Sequence, residues 1–376
     1  MEAVGRTGLV RAAATVVALL LVGWLVVSGP PRRAPQPQAG SAASAPSLTQ
    51  AWPNATVVDL PGVLPDGAPY TPWLFLDAST SIGVAPTPDG AAQRVVARTA
   101  DGVRELHRVA KDRYPNFLGF TGAGDTVFWG ESVADPAETR IWRASVRGAA
   151  PTASLTADTG EIVFFNSQYD LLMHDGRLYW AAVGVSAEQP VTEIRSVPMS
   201  GGPTTVRPVD GAYQLLVWPW LHSAEGTGTG AGQGGPLEVR NLDTGRRITV
   251  PASPSEYIGC SPTWCRSIVT TGTDGSTRYD MIRSDGSDRR RVGGSAFSAA
   301  VADVALLDRF EPVLQMTGSA PDTRQRLVLY DLTNARLVTV AENVRQVLAR
   351  QRVLWWSTGD QQHETWHSLD LGTLTG

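Results

Sequence analysis

Residues 237–251, LEVRNLDTGRRITVP, show the pattern that decides the fold of this chain. Apolar residues alternate with polar ones before the turn at residues 243–245, and they alternate again after it. Alternation on both sides of a glycine-containing turn is typical of a β-hairpin with one buried face. The stretch therefore predicts two antiparallel strands.

Six further stretches repeat this hairpin pattern along the chain. The seven predicted turns lie at or near Gly102, Gly148, Gly201, Gly245, Gly286, Asn334 and Gly372. In the sixth hairpin, asparagine takes the place of glycine because it tolerates a left-handed backbone. Successive turns are 38 to 53 residues apart, about 45 on average. A repeat of about 40–50 residues with several strands in each unit indicates a β-propeller.

A second motif occurs about 10–20 residues before several of these hairpins. It is a strand-like run that carries Trp129, Trp180 or the pair Trp355 and Trp356, and residues 212–221, AYQLLVWPWL, form a related stretch. This is the place of the second strand in a four-stranded blade. We expect these tryptophans to pack between blades, with stacking on a ligand as the alternative for one or two of them.

The fold class follows from the two motifs. We predict an all-β protein, a β-propeller of seven four-stranded blades over residues 52–376, with six blades as the alternative. Only four residues follow Gly372, too few for a full outer strand in the last blade, whereas residues 55–60, ATVVDL, are strand-like. Pairing of this N-terminal strand with the last hairpin would close the ring and remove the exposed sheet edges.

The N-terminal region predicts a membrane segment. Arg6 and Arg11 precede an apolar run at residues 12–27, whose length lies between a signal-peptide core and a full membrane span. Both candidate cleavage sites, at residues 27–29 and 43–45, are followed directly by proline. We therefore favour an uncleaved signal-anchor within residues 1–28, with secretion after signal cleavage as the alternative.

Residues 29–51 are rich in proline, alanine and serine, which predicts a linker that does not fold alone. With the N-terminus in the cytoplasm, the chain would be a single-pass protein of the cell membrane whose propeller lies outside the cytoplasm. The formal net charge of −4 and the lack of a basic stripe give no indication of nucleic-acid binding.

The repeated form of strand, Asp-Gly or Asp-Thr-Gly turn and strand, preceded by a short N-terminal anchor, resembles the TolB-like and WD40-like β-propellers of bacterial envelopes. The resemblance covers roughly residues 52–376. The Gly-His and Trp-Asp pairs of true WD40 repeats are not visible in the sequence. What the resemblance implies is extracytoplasmic binding or scaffolding.

The only two cysteines, Cys260 and Cys265, lie in the stretch GCSPTWC. Outside the cytoplasm a close pair predicts a disulfide, and a free thiol pair or a redox site are the alternatives. A loop this short loses little chain entropy on closure, so the bond is expected to shape one loop. Trp264 within it makes this loop the candidate recognition feature.

Two motifs suggest catalysis and are better explained by strands and turns. Residues 363–367 match His-Glu-x-x-His, which binds zinc only on a helix, where both imidazoles face one metal. The segment leads into strand alternation, and on a strand the two histidines would be roughly 13 Å apart. Asp-Thr-Gly occurs at residues 158–160 and 243–245, without the serine or threonine that follows it in aspartic proteases, and we interpret both copies as hairpin turns.

The sequence therefore predicts no catalytic residue, no metal site and no cofactor. We expect a binding or scaffold module for an unknown protein or envelope ligand, attached to the membrane by the N-terminal helix. A propeller enzyme of the lyase, lactonase or glycosidase type is the alternative, although the chain has only five histidines and no acidic cluster stands out on the expected inner strands.

Overall fold

The hairpin expected at residues 237–251 is present as two antiparallel strands, Leu237–Asn241 and Arg247–Val250. Leu237, Val239 and Val250 are buried, and the turn between the strands has Gly245 at φ +71°. Glycine reaches this left-handed conformation without the strain that a Cβ atom would cause. The deciding pattern therefore forms as predicted.

The structure is a computed structural model that describes residues 45–148, 150–185, 189–223, 236–319, 322–360 and 363–375. In these ranges the strands form seven antiparallel sheets. The prediction of seven four-stranded propeller blades is confirmed, and the six-blade alternative is wrong. The sheets are called blades 1 to 7 in chain order.

The strands are numbered in chain order, beginning with β1 (Val57–Pro61). Blade 1 contains β2 (Thr71–Phe75), β3 (Ser81–Pro86), β4 (Ala92–Thr99) and β5 (Gly102–Ala110). Blade 2 contains β6 (Asn116–Ala123), β7 (Thr126–Ala134), β8 (Ala137–Ser145) and β9 (Ala153–Thr156). Blade 3 contains β10 (Glu161–Ile162), β11 (Leu172–His174), β12 (Arg177–Gly184), β13 (Val191–Pro198) and β14 (Thr205–Asp210).

Blade 4 contains β15 (Tyr213–Leu215), β16 (Trp220–Ser223), β17 (Leu237–Asn241) and β18 (Arg247–Val250). Blade 5 contains β19 (Glu256–Cys260), β20 (Trp264–Thr270), β21 (Thr277–Arg283) and β22 (Arg290–Gly294). Blade 6 contains β23 (Phe297–Ala299), β24 (Phe310–Thr317), β25 (Arg324–Asp331) and β26 (Arg336–Ala341). Blade 7 contains β27 (Val347–Arg350), β28 (Val353–Thr358), β29 (Thr365–Asp370) and β1.

Strand β1 supplies the outer strand of blade 7, whose other three strands come from the far end of the chain. Val57 lies opposite Leu369, and Pro61 lies opposite Thr365. The Gly62 amide donates to the Glu364 carbonyl at 2.8 Å. Because the direction of amides alternates along a strand, the amides of residues 58 and 60 also face β29, whereas those of 57, 59 and 61 face outward. The proline at position 61 therefore removes no ladder bond.

The predicted tryptophan strands are second strands of their blades. Trp129 lies in β7, Trp180 in β12, and Trp355 with Trp356 in β28, and all four rings are buried. Trp129 packs with residues of both blade 1 and blade 2. Packing between blades is therefore confirmed for this motif. The related stretch at 212–221 holds the first strand of blade 4, the turn after it and the start of the second strand, so Trp220 lies in a second strand whereas Trp218 lies in the turn.

Most of the predicted turns connect the third and fourth strands of their blades, at residues 102, 148, 201, 245 and 286. Two details differ. In the sixth hairpin the left-handed residue is Ala335, with φ +50°, while Asn334 donates its side-chain amide to Asp331. Gly372 lies in the 3-10 helix Leu371–Thr373, because β29 has β1 as its outer neighbour.

The helix α1 (Leu48–Ala51) packs on blade 6. Ser47 caps this helix and forms a parallel bridge with Thr339. Leu48 and Trp52 are buried in the cluster between blades 6 and 7. Residues 48–51, the last four of the predicted linker at 29–51, therefore belong to a packed helix.

Residues 1–44 lie outside the described part of the chain, and they include the predicted membrane segment at 12–27 and most of the predicted linker. Among the residues that are described, no helix is both long enough and apolar enough to span a membrane.

Candidate functional site

The first strand of each blade lines the central channel of the propeller, and in blade 3 this strand is interrupted. Both β10 and β11 pair with β12. The last ladder bond before the interruption runs from the Val163 amide to the Ala181 carbonyl at 3.0 Å. Residues 164–171, FFNSQYDL, then leave the sheet. We call these eight residues the channel loop.

The channel loop reaches blades 6 and 7, which follow blade 3 by three and four blades along the chain. Asp303 of blade 6 accepts the Ser167 hydroxyl at 2.6 Å and the Gln168 amide at 3.0 Å. Arg350 of blade 7 donates to the Ser167 carbonyl at 2.8 Å. The backbone amide of Gln351 donates to the side chain of Gln168 at 2.8 Å. The loop therefore crosses the channel and is held on its far side.

The conformation of the loop is set by its own carboxylate and by a glycine of blade 2. Asp170 accepts the amides of Phe165 and Ser167, both at 3.0 Å. Phe164 packs beside Gly119, where an added Cβ would lie 2.4 Å from the aromatic ring. Gly119 also has φ +59°, a conformation that side chains disfavour. Only glycine fits both requirements at this position.

Three buried charged groups lie in or beside the loop. Burial raises the pKa of Asp170 to about 6, and Asp303 adds to this rise, while two backbone hydrogen bonds and Arg350 oppose it. Burial also raises the pKa of Asp303. For Arg350, burial lowers the pKa, and the charges of Asp170 and Asp303 partly oppose this effect. Arg350 further donates to the Trp73 carbonyl of blade 1 at 3.1 Å. These groups serve the loop, so they are not free for chemistry on a substrate.

A cavity of about 570 Å³ lies against the channel loop on the side of blades 4, 5 and 6. We call it the central cavity. Its walls are mainly apolar, with Leu215 from β15, Ile258 from β19 and Val301 after β23. Uncharged polar side chains also line it, among them Gln214 and His222. Pockets of this size with apolar walls and few polar groups are the usual form of small-molecule sites.

A second cavity of about 620 Å³ lies beside the turns that connect the first and second strands of blades 4 to 7. We call it the mouth cavity. Its apolar wall includes Val217, Trp218, Trp220 and Leu307. Its polar lining comes from Gln168, Thr263, Asp308, Gln351 and Arg352. Tyr169 of the channel loop lines both cavities, as do Ser261 and Val304.

The Trp218 ring is held by blade 3. Its centroid lies 4.2 Å from that of Tyr179 and 5.6 Å from that of His174. Val217 and Leu307 at the rim are 44% and 47% exposed. The mouth cavity therefore combines a fixed aromatic wall with exposed apolar edges.

The predicted disulfide between Cys260 and Cys265 is confirmed. The two residues lie opposite each other in the β19–β20 hairpin. Trp264 is 2% exposed, and its ring is covered by Arg283, whose guanidinium carbon lies 3.8 Å from the ring centroid. The part of the loop that lines the mouth cavity is residues 261–263. The role of this loop in recognition stays a prediction. Residues 261–263 line the mouth cavity, whereas the Trp264 ring does not.

The two histidines of the zinc-protease motif have separate partners. His363 precedes β29 and lies 3.2 Å from Asp360, whereas His367 lies within β29, 2.7 Å from both Asp59 and Thr358. Among the described residues, no three His, Cys, Asp or Glu side chains are grouped so that they could hold a metal ion.

The two Asp-Thr-Gly copies differ in role. The copy at 243–245 is the hairpin turn of blade 4. The copy at 158–160 links β9 to β10, so its interpretation as a hairpin turn was wrong. Thr159 is buried, and its carbonyl accepts the indole N–H of Trp180 at 2.8 Å. The first copy therefore connects blade 2 to blade 3.

Sequence reasoning missed the channel loop and both cavities. One signal was present: in the stretch FFNSQYDL, the polar residues 166–168 interrupt what should be the inner strand of blade 3. No local pattern indicates the distant partners Asp303 and Arg350.

Comparison with known proteins supports the fold. No protein-family model matches the chain, and no curated protein matches it. An uncharacterized protein from Listeria monocytogenes superposes with a TM-score of 0.51 at 10% identity, over 81% of this chain and 93% of that chain. The β-propeller domain of the Trilobed protease from Pyrococcus furiosus matches with a TM-score of 0.41 at 10% identity, over 66% of this chain and 80% of that one. At such identities the likeness shows the fold alone.

Proposed function

We propose that the propeller is a binding module that holds a protein partner at the mouth cavity. The observation that carries this proposal is the apolar rim of that cavity, where Val217 and Leu307 are exposed beside the half-buried Trp218 and Trp220. Exposed apolar residues around a fixed pocket are typical of protein interaction sites. The partner would insert an apolar side chain into the cavity.

The polar lining supports a partner that also carries hydrogen-bonding groups. Gln168, Asp308 and Arg352 line the cavity together with the apolar wall. Protein interfaces commonly combine a buried apolar anchor with a polar rim. A chain segment with one large apolar residue and flanking polar backbone groups matches this arrangement.

We also propose that residues 1–28 anchor the propeller outside the cytoplasm, as in the TolB-like envelope propellers that the repeat pattern resembles. The disulfide supports this placement, because such bonds persist in oxidising compartments. Protease protection in intact cells tests the orientation. A propeller that is digested only after the cells are lysed would place it inside and contradict the proposal.

The binding test compares two matched substitutions in the full-length chain. Val217→Asp places a charge on the rim of the mouth, and Val206→Asp places one on the outer strand β14, where the residue is also 44% exposed. After crosslinking in membranes and solubilisation, a partner recovered with the wild type and Val206→Asp, but reduced at least about tenfold with Val217→Asp, supports the proposal. Equal recovery with all three proteins, or no partner with any of them, contradicts it.

The same preparation also tests the alternative function. Metal analysis of the purified full-length chain measures any bound ion. A metal at one equivalent per chain, retained through dialysis, would favour a propeller enzyme over the binding module.

A further inference from the structure

The central cavity has walls that belong to three blades and to the channel loop. Leu215, Ile258 and Val301 come from the inner sides of blades 4, 5 and 6, and Tyr169 comes from the loop. Tyr169, Ser261 and Val304 line both this cavity and the mouth cavity, whereas the other lining residues of the two spaces differ. The central cavity therefore offers a second site, and its argument does not rest on the function proposed for the mouth.

The charged side chains that line the central cavity already have partners. Arg266 pairs with Glu311 at 2.6 Å and donates to the Asp303 carbonyl at 2.9 Å. Glu256 pairs with Arg289 at 2.8 Å. A charged ligand would lose its hydration without gaining a free counter-charge, which is unfavourable in a buried site. The cavity therefore favours an uncharged ligand.

Gln214 and His222 supply a pair of open polar groups, and the side chains of Tyr169 and Tyr257 also line the cavity. They lie directly opposite each other in the β15–β16 pair, so their side chains share one face. In the described part of the chain, no residue hydrogen-bonds to the Gln214 side-chain amide. Within the described ranges, the one hydrogen-bond partner of the His222 ring is the Ser223 carbonyl, 3.1 Å from Nδ1.

The hydrogen bond at His222 determines which ring nitrogen is free. A carbonyl oxygen can only accept, so Nδ1 carries the proton of the neutral imidazole and Nε2 is left as an acceptor. Burial lowers the pKa of His222 to about 4, so the ring is neutral at physiological pH. The Gln214 amide can both donate and accept. A hydroxyl or amide group on a ligand would satisfy both side chains.

We propose that the central cavity binds an uncharged, mainly apolar small molecule whose hydroxyl or amide group hydrogen-bonds with Gln214 and His222. The volume of about 570 Å³ suits a molecule of two or three fused or linked rings. The apolar walls supply most of the affinity, and the two polar side chains select for the hydrogen-bonding group.

Three probes of one size test the proposal on the full-length chain in detergent. They are 2-naphthol, which is uncharged and carries a hydroxyl, 2-naphthoate, which carries a charge, and naphthalene, which has no hydrogen-bonding group. Equilibrium dialysis should show 2-naphthol binding about tenfold more tightly than the other two, the size expected for one or two net hydrogen bonds. The ring-proton NMR signal of His222, identified by its loss in His222→Leu, should shift with 2-naphthol.

Variants separate the two cavities. Gln214→Leu should lower the affinity for 2-naphthol toward that of naphthalene and leave naphthalene binding unchanged. Val217→Asp, at the mouth, should leave 2-naphthol binding unchanged. Equal or tighter binding of 2-naphthoate, or the lack of any shift in the His222 signal with 2-naphthol, would overturn the proposal. The comparison of probes on the wild type holds even if a variant fails to fold.

Discussion

The pH dependence of unfolding tests the position of the channel loop. Asp170 is buried, accepts two backbone amides within the loop, and faces Asp303 and Arg350. Burial raises its pKa from 3.8 to about 6. The substitution Asp170→Asn removes this titrating group and keeps one acceptor oxygen for the loop.

The sign follows from the difference between the folded and the unfolded chain. The folded protein binds the Asp170 proton more tightly, so this group stabilises the fold at low pH and loses that contribution as the pH rises through about 6. A difference of about 2 pKa units corresponds to about 3 kcal/mol. The free energy of unfolding of the wild type, minus that of Asp170→Asn, should therefore increase by up to about 3 kcal/mol between pH 7 and pH 4.

Urea unfolding followed by tryptophan fluorescence measures this difference at each pH. The matched control is Asp285→Asn, in an exposed hairpin turn where hydrogen bonds from Ser287 lower the pKa of the carboxyl. A lowered pKa gives stability that is lost on acidification, so the same difference should decrease for this control. If the Asp170 difference stays constant or decreases as the pH falls, the buried position of the loop is wrong.

Three further predictions concern stability, measured by urea or thermal unfolding. Gly119→Ala should lower the free energy of unfolding by about 2–4 kcal/mol, because the added Cβ clashes with Phe164 and the backbone keeps a positive φ. The control Gly90→Ala, at φ +70° in open space, should lower it by about 1 kcal/mol. Equal losses would contradict the packing beside Gly119. Val58→Pro should lower the free energy of unfolding by about 2 kcal/mol, because it removes a ladder bond between β1 and β29. The control Val57→Pro replaces a residue whose amide faces outward, so its loss should be clearly smaller. Equal losses would mean that β1 does not pair with β29 in this register. Reduction of the disulfide should cost about 2 kcal/mol, as expected for a short loop, and no change with reductant would show that the bond does not form.

The blades could be predicted because their signals are local. In the hairpin at 237–251, the alternation of apolar residues, the turn and the buried face all lie within fifteen residues. The tryptophan strands could also be recognised from a local pattern, because the motif occurs at the same position, the second strand, in several blades. Where the local signal is weaker, the prediction of individual residues is less accurate. The left-handed conformation was assigned to Asn334, but it is adopted by Ala335, the next residue in the same tight turn.

The pairing of β1 with β29 required a different kind of inference. Residues 57–61 and 365–370 are about 300 positions apart, and no local pattern joins them. The prediction came from counting strands: the last hairpin lacked a partner, and an unpaired strand remained at the beginning of the propeller. Because exposed sheet edges are avoided, the unpaired N-terminal strand could be assigned to the last blade, although its residue-by-residue register with β29 could not be predicted.

The channel loop had no such constraint. Ser167 bonds to Asp303 at a separation of 136 residues, and Arg350 bonds to Ser167 at a separation of 183. Each of these residues alone is typical of a solvated turn or a blade edge, and only the packing of the blades in three dimensions places them together. The loop also contributes Tyr169 to the lining of both the central and the mouth cavity. In this propeller the repeat supplies the strands and turns that form most of the cavity walls, and one interruption of the repeat supplies the loop that completes them.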